Sequence, residues 1–140
     1  MKEVKPLDND KFERIREIYI ESFPEKIQQL RQCWAVLNAE EKYHEPLAQL
    51  RMEAHKIAGS SGSHEFNDIH ALAKNIETKI VEVLDEKSSW DKDKQGIGNA
   101  VQQLVDLLES ELLNFNFSDD GEDNIPRLAA LQLSHRELVI

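Results

Sequence analysis

The sequence predicts an all-α protein, an antiparallel four-helix bundle preceded by one additional N-terminal helix. Three observations carry this. Apolar residues recur at helical spacing in five stretches. No stretch shows sustained strand alternation bounded by hairpin turns. The connections between the stripes are short, which favours antiparallel neighbours and hence a bundle.

The first stripe is Phe12, Ile15 and Tyr19, and it meets Ser22-Phe-Pro-Glu25. Ser22 and Glu25 have the spacing of a capping box, and Pro24 suits a first helical turn, so a second helix is expected to begin near Pro24. Its face is Ile27, Leu30, Trp34 and Leu37, and the polar residues 38–45 lead to a third helix opening around Pro46. That helix aligns Leu47, Leu50, Ala54, Ile57, Ala58 and Ser61. Ile69, Leu72, Ala73, Ile76, Ile80 and Val83 mark a fourth, and after Asp85 to Ser89 a fifth carries Ile97, Val101, Leu104, Leu108 and Leu112. Residues 1–117 therefore read as one helical domain. Residues 118–124, SDDGEDN, are acidic, contain glycine and lack apolar side chains, as a linker does. The last stretch, ending Leu138-Val139-Ile140, fits either the first strand of a further domain or a C-terminal helix docked on the bundle.

With 140 residues, 40% of them apolar and 31% charged, the chain suits one soluble domain with a tail. A net charge of −10 argues against nucleic acid as a partner, because affinity for a phosphate backbone comes from clustered Lys and Arg. The acidic surface selects no particular protein. One cysteine, Cys33, permits neither an internal disulfide nor a multi-thiolate metal site, and its helical setting between Leu30 and Trp34 suits a core thiol. The amino terminus has no apolar signal-like core, and no run approaches the ~18 apolar residues of a membrane span. No membrane association is expected, and the cytoplasm is the simplest location.

The informative stretch is Ala54-His55-Lys56-Ile57-Ala58-Gly59-Ser60-Ser61-Gly62-Ser63, which places two glycines in a good helical pattern although each costs about 1 kcal/mol relative to alanine there. At about 100° per residue, Gly59 and Gly62 fall on the flank of His55, beside the buried stripe. A histidine framed by residues without side chains is open to close approach by another protein. Imidazole, with an ordinary pKa near 6.5, keeps a large neutral and nucleophilic fraction at neutral pH. Arg51 and Lys56 offer positive charge near the ring, and Ser60 a hydroxyl. The same residues also fit a plain helix-ending loop with Gly59 as the cap and His55 on the surface.

The segment AHKIAGSSGSHEFNDIHALAKNIE, residues 54–77, resembles the signature of the histidine phosphotransfer (HPt) family: His55 after a small residue, Ile57 two on, Gly59-Ser60-Ser61 from the fourth position, and Ile76-Glu77 ending an apolar helix. Phe23-Pro24-Glu25-Lys26-Ile27 with Leu30 is similar to the start of the family's second helix. The architectural likeness covers about residues 8–115. The resemblance implies that His55 is the phosphoacceptor, that Gly59 keeps the site open with Ser60 and Ser61 as the small polar pair beside it, and that the partner is a receiver domain of a response regulator or hybrid histidine kinase; by their own placement Arg51, Lys56, Gly59, Ser60 and Gly62 frame the site or steady the phosphate. It implies no kinase activity and no cofactor on this chain, with Mg²⁺ on the receiver. Two departures stand out. Ala58 replaces a lysine often found three residues after the histidine, and Glu65 replaces a glycine often found ten after it. Alanine at the lysine position resembles HPt domains fused to receiver domains in bacterial response regulators.

Two other readings are open to the residues. One is a docking module on the same fold that binds a receiver domain without carrying phosphate, which Ala58 favours. The other is a metal-binding bundle, since Glu41-Lys-Tyr-His44 has Glu-x-x-His spacing and His55, His64 and His70 follow; the second copy that di-iron bundles need is absent from the sequence, and no metal is expected. His135 belongs to the tail. No P-loop, dinucleotide fingerprint, zinc-ligand cysteine pair or nucleophile elbow is present. Core packing accounts for every apolar stripe, so the isolated domain is expected to be a monomer.

Overall fold

The computed structural model describes residues 4–39 and 41–118, with side chains from 11 to 115. Five helices follow one another: α1 (Val4–Glu21), α2 (Phe23–Ala39), α3 (His44–Ser63), α4 (Asn67–Leu84) and α5 (Trp90–Ser118). Helices α2 to α5 close a ring in which each packs on two neighbours, and α1 lies against α2 and α5. The pairs are antiparallel: Arg31 of α2 meets Glu109 of α5 while Trp34 meets Gly98, and His55 of α3 meets Glu77 of α4 while Gly62 meets His70. The all-α bundle with its extra N-terminal helix is thus the observed architecture. Residues 119–140, which hold most of the expected linker, the apolar terminal stretch and His135, lie outside the described residues.

The expected core stripes of α2 to α5 face inward, with Leu30, Leu47, Leu50, Ile76, Ile80, Ile97, Leu104 and Leu108 at the centre. Leu72 and Trp34 pack against that core from its margin. The stripe of α1 departs from expectation. Tyr19 and Ile20 in its last turn are buried, whereas Phe12, Ile15 and Ile18 are exposed: of the described side chains of this helix, those of the last turn enter the core. The capping box at Ser22 does not form either. The Ser22 hydroxyl donates to the Tyr19 carbonyl at 2.6 Å, closing α1 instead of capping α2, and α2 follows at once from the fully buried Phe23. Pro24 and Pro46 each sit in a first turn, where the missing N–H costs no helical hydrogen bond. A Cβ on Gly98 would lie 2.5 Å from the Trp34 indole, so this glycine lets α2 and α5 approach at that level.

Helix α3 passes straight through Gly59 and Gly62, which excludes the loop that Gly59 was able to cap. It ends instead in a Schellman turn, with Glu65 N–H donating to Gly62 C=O at 3.2 Å and Phe66 N–H to Ser61 C=O at 2.9 Å. The cap of α4 falls on Phe66. The turn requires a left-handed residue, and that residue is Glu65, with φ of 64°. Glu65→Gly is expected to stabilise the fold by roughly 0.5–1 kcal/mol, since relief of the left-handed strain outweighs the added freedom of the unfolded chain. Chemical denaturation checks this. A lower midpoint than that of the native chain counts against the strain assigned here.

Candidate functional site

The inward stripe of α3 includes Ala54 and Ile57, so His55, about 100° round from Ala54, emerges at the edge that faces α4. Its side chain is 63% exposed. Glu77 stands beside the core residues Ile76 and Ile80 on α4, and its side chain is only 11% exposed. His55 Nδ1 and Glu77 Oε2 are 2.8 Å apart. A carboxylate accepts and does not donate, so Nδ1 carries the proton and the ring's free lone pair lies on Nε2. Arg51 Nη2 approaches the same carboxylate oxygen at 3.7 Å. Glu77 Oε1 and Arg51 Nε are buried with no hydrogen-bond partner among the described residues. The result is an exposed imidazole of fixed tautomer, held from behind by a buried charge. Such a group can act as a nucleophile through Nε2.

The other expected residues divide. Arg51 and Gly59 belong with His55: Arg51 reaches the carboxylate behind the ring, and a Cβ at Gly59 would meet nothing within 4 Å, leaving the surface one turn beyond His55 open. Lys56 is turned to Glu53, with 3.5 Å between ammonium and carboxylate. Ser60 faces α1. Its hydroxyl donates to the Lys56 carbonyl at 2.9 Å and accepts from the Tyr19 phenol at 2.7 Å. Gly62 lies under the His70 ring, where a Cβ would come within 3.1 Å of Nδ1, so it serves the contact between α3 and α4. Ala58 is buried, 4% exposed. Glu77 is the residue of this candidate site that sequence reasoning left without a role. It stood in the quoted motif as a helix-ending residue, but only the register of α4 against α3 brings it to His55.

The remaining described histidines have structural partners. His70 Nδ1 donates to the Ala58 carbonyl at 2.7 Å. His64 Nδ1 donates to the Ser60 carbonyl at 2.8 Å, and its ring stacks on Tyr19 with centroids 4.2 Å apart. Glu41 precedes α3 while His44 opens it and stacks on Tyr43, so the Glu-x-x-His spacing does not fall on one helix. Helix α1 braces the end of α3 further, with Arg16 donating to the His64 carbonyl at 3.3 Å and lying over the Phe66 ring at 4.0 Å. Burial pushes the Tyr19 phenol above its ordinary pKa, partly opposed by hydrogen bonding to Ser60 and Ser61. Burial likewise lowers the Lys26 ammonium, which is bonded to Ser22 Oγ at 3.0 Å, and raises the Cys33 thiol, a partly buried group packed against the core as expected. An open concavity at the turn between α2 and α3, lined by Val36, Tyr43, His44, Pro46 and Gln49, does not include His55. His55 is presented on a helix edge, as suits a reacting group offered to another macromolecule.

Fold and site together define a helical bundle that displays one carboxylate-anchored histidine on an open helix edge. The family model of the Hpt domain matches residues 14–111, and the chain belongs to the Hpt domain family. The match runs from the middle of α1 almost to the end of α5. Searches of the curated proteins and of the solved structures returned no match. Members of the family are phosphocarrier modules of histidine phosphotransfer, without kinase activity of their own, and they interact with receiver domains in phosphorelay signalling. Among the described residues, no helix is long and apolar enough to cross a membrane.

Proposed function

We propose that this chain accepts and donates a phosphoryl group on His55, exchanging it with the aspartate of a receiver domain in a bacterial two-component phosphorelay. The observation that carries the reading is the hydrogen bond from His55 Nδ1 to the buried Glu77 carboxylate, which leaves the nucleophilic lone pair on Nε2 of an exposed ring. In the accepting direction that lone pair forms the N–P bond as the P–O bond of the aspartyl phosphate breaks, and the electron pair leaves with the carboxylate oxygen. Nδ1 keeps its proton, so the phosphorylated ring is cationic and faces a carboxylate. Mg²⁺ belongs to the receiver in this scheme, and the chain itself carries no cofactor.

Gly59 bears on the partner's approach. Alanine here meets no neighbour and removes a helix-interior glycine, so Gly59→Ala is expected to stabilise the fold by about 1 kcal/mol. Transfer from a receiver domain is expected to slow severalfold because the added methyl stands at the open edge. Gly96, which also has open space around it, provides the control: Gly96→Ala should stabilise similarly without slowing transfer. Equal transfer by both variants would remove Gly59 from the docking edge.

The reading as a whole is tested by incubating the chain with a phosphorylated receiver domain and following label that is acid-labile and base-stable. Label on the chain, assigned to Nε2 by nitrogen NMR, supports it. A second reading, a docking module that carries no phosphate, is favoured by Ala58 and takes over if the receiver binds and no label passes.

A further inference from the structure

A phosphoryl group on His55 Nε2 brings close to two negative charges, and a nearby cation strengthens its binding through charge-assisted hydrogen bonds. The cations of α3 do not meet that need. Arg51 lies behind the ring at the Glu77 carboxylate. Lys56 is paired with Glu53 and leaves the helix about 100° away from His55. The position three residues beyond the histidine is Ala58, uncharged and buried. On α2, the half-buried Lys26 is bonded to Ser22 and lies over the Tyr19 ring.

Helix α4 supplies a candidate through its register. His70 meets the Ala58 carbonyl and the backbone at Gly62, and Glu77 meets His55. Lys74 falls four residues after His70 and three before Glu77, in the helical row that joins these two contacts. It is exposed, and it makes no ion pair among the described residues. Antiparallel pairing sets it level with Ala58 and Gly59, where the absent Gly59 side chain leaves the surface open. We infer that Lys74 binds the phosphoryl oxygens of phosphorylated His55 across the Gly59 gap, supplying from α4 the charge that α3 lacks at Ala58. The inference rests on His55 being the phosphoacceptor. Lys74 forms no covalent bond and transfers no proton in this role.

Phosphoramidate is a suitable probe. It delivers its phosphoryl group directly to an imidazole, the P–N bond of the reagent breaking as the Nε2–P bond forms and ammonia leaving. Phosphorus NMR then follows phosphohistidine on the full chain. Lys74→Ala is expected to accumulate phosphorylated His55 roughly tenfold more slowly, and Lys74→Arg to restore most of the rate. Lys56→Ala should stay within about twofold of the native chain, as befits an exposed ion pair. The nitrogen-bound proton signal of the Lys74 ammonium should shift on phosphorylation, a response that a merely structural lysine would not give. A native rate in Lys74→Ala, or an unmoved Lys74 signal, overturns the inference and leaves the role of His55 intact. A native chain that takes no phosphoryl group on His55 overturns that role and this inference with it.

Discussion

The His55→Gln variant is expected to take no acid-labile label from a phosphorylated receiver domain while unfolding within about 1 kcal/mol of the native chain. The first half follows from the nucleophile: the lone pair of the glutamine amide nitrogen is delocalised into its carbonyl and does not form an N–P bond. The second follows from exposure. His55 is 63% exposed, so little packing is lost, and a glutamine amide can still donate toward the Glu77 carboxylate. Label that persisted in the variant would have to sit on another residue, and His64 and His70 are poorly placed for it. His64 is stacked on Tyr19 and tied to the Ser60 carbonyl, while His70 is tied to Ala58 between two helices. Denaturation read beside the labelling separates loss of the acceptor from loss of the fold. A variant that unfolds much earlier than the native chain contradicts the surface placement of His55.

Much of this arrangement was legible in the sequence because it depends on local spacing. The stripes of α2 to α5 carry a 3.6-residue period that does not change when the helices pack, and the exposed edge around His55 follows from that period alone. What failed or stayed hidden depends on geometry between elements. Phe12 and Ile15 have the spacing of a buried face, but burial needs a neighbour, and among the described side chains of α1 the buried ones are Tyr19 and Ile20. Ser22 and Glu25 have the spacing of a capping box, yet the Tyr19 carbonyl captures the Ser22 hydroxyl first. Gly62 shares a flank with His55 on the isolated helix; once α4 is in place, that flank is divided, and Gly62 lies under His70. Glu77 shows the same limit from the other side. Its position beside His55 is set by the stagger of α3 against α4, which no single-helix pattern encodes.

Glu77→Met is expected to slow phosphoryl acceptance by roughly 10- to 100-fold, the equivalent of losing one charge-assisted hydrogen bond of about 1.5–3 kcal/mol. The carboxylate acts at two points. Before transfer it holds the proton on Nδ1 and so keeps Nε2 unprotonated; as the N–P bond forms it faces a ring that is becoming cationic, and its attraction grows along the reaction. Only the second effect depends on charge. Glu77→Gln retains an oxygen that can accept from Nδ1–H but is neutral, so its rate should fall between the native and Met values. Stability should not follow the same order. Glu77 is a nearly buried carboxylate with one oxygen unpartnered and Arg51 as far as 3.7 Å away, and a methionine of similar volume removes that burden from the core. Glu77→Met is therefore expected to unfold no earlier than the native chain, and by about 1 kcal/mol later if the freed Arg51 guanidinium turns to solvent. Transfer rates and unfolding midpoints measured on the three proteins decide between a site residue and a core residue: a fall in both together marks Glu77 as structural, whereas slower transfer with undiminished stability marks a charge retained in the core for the chemistry of His55.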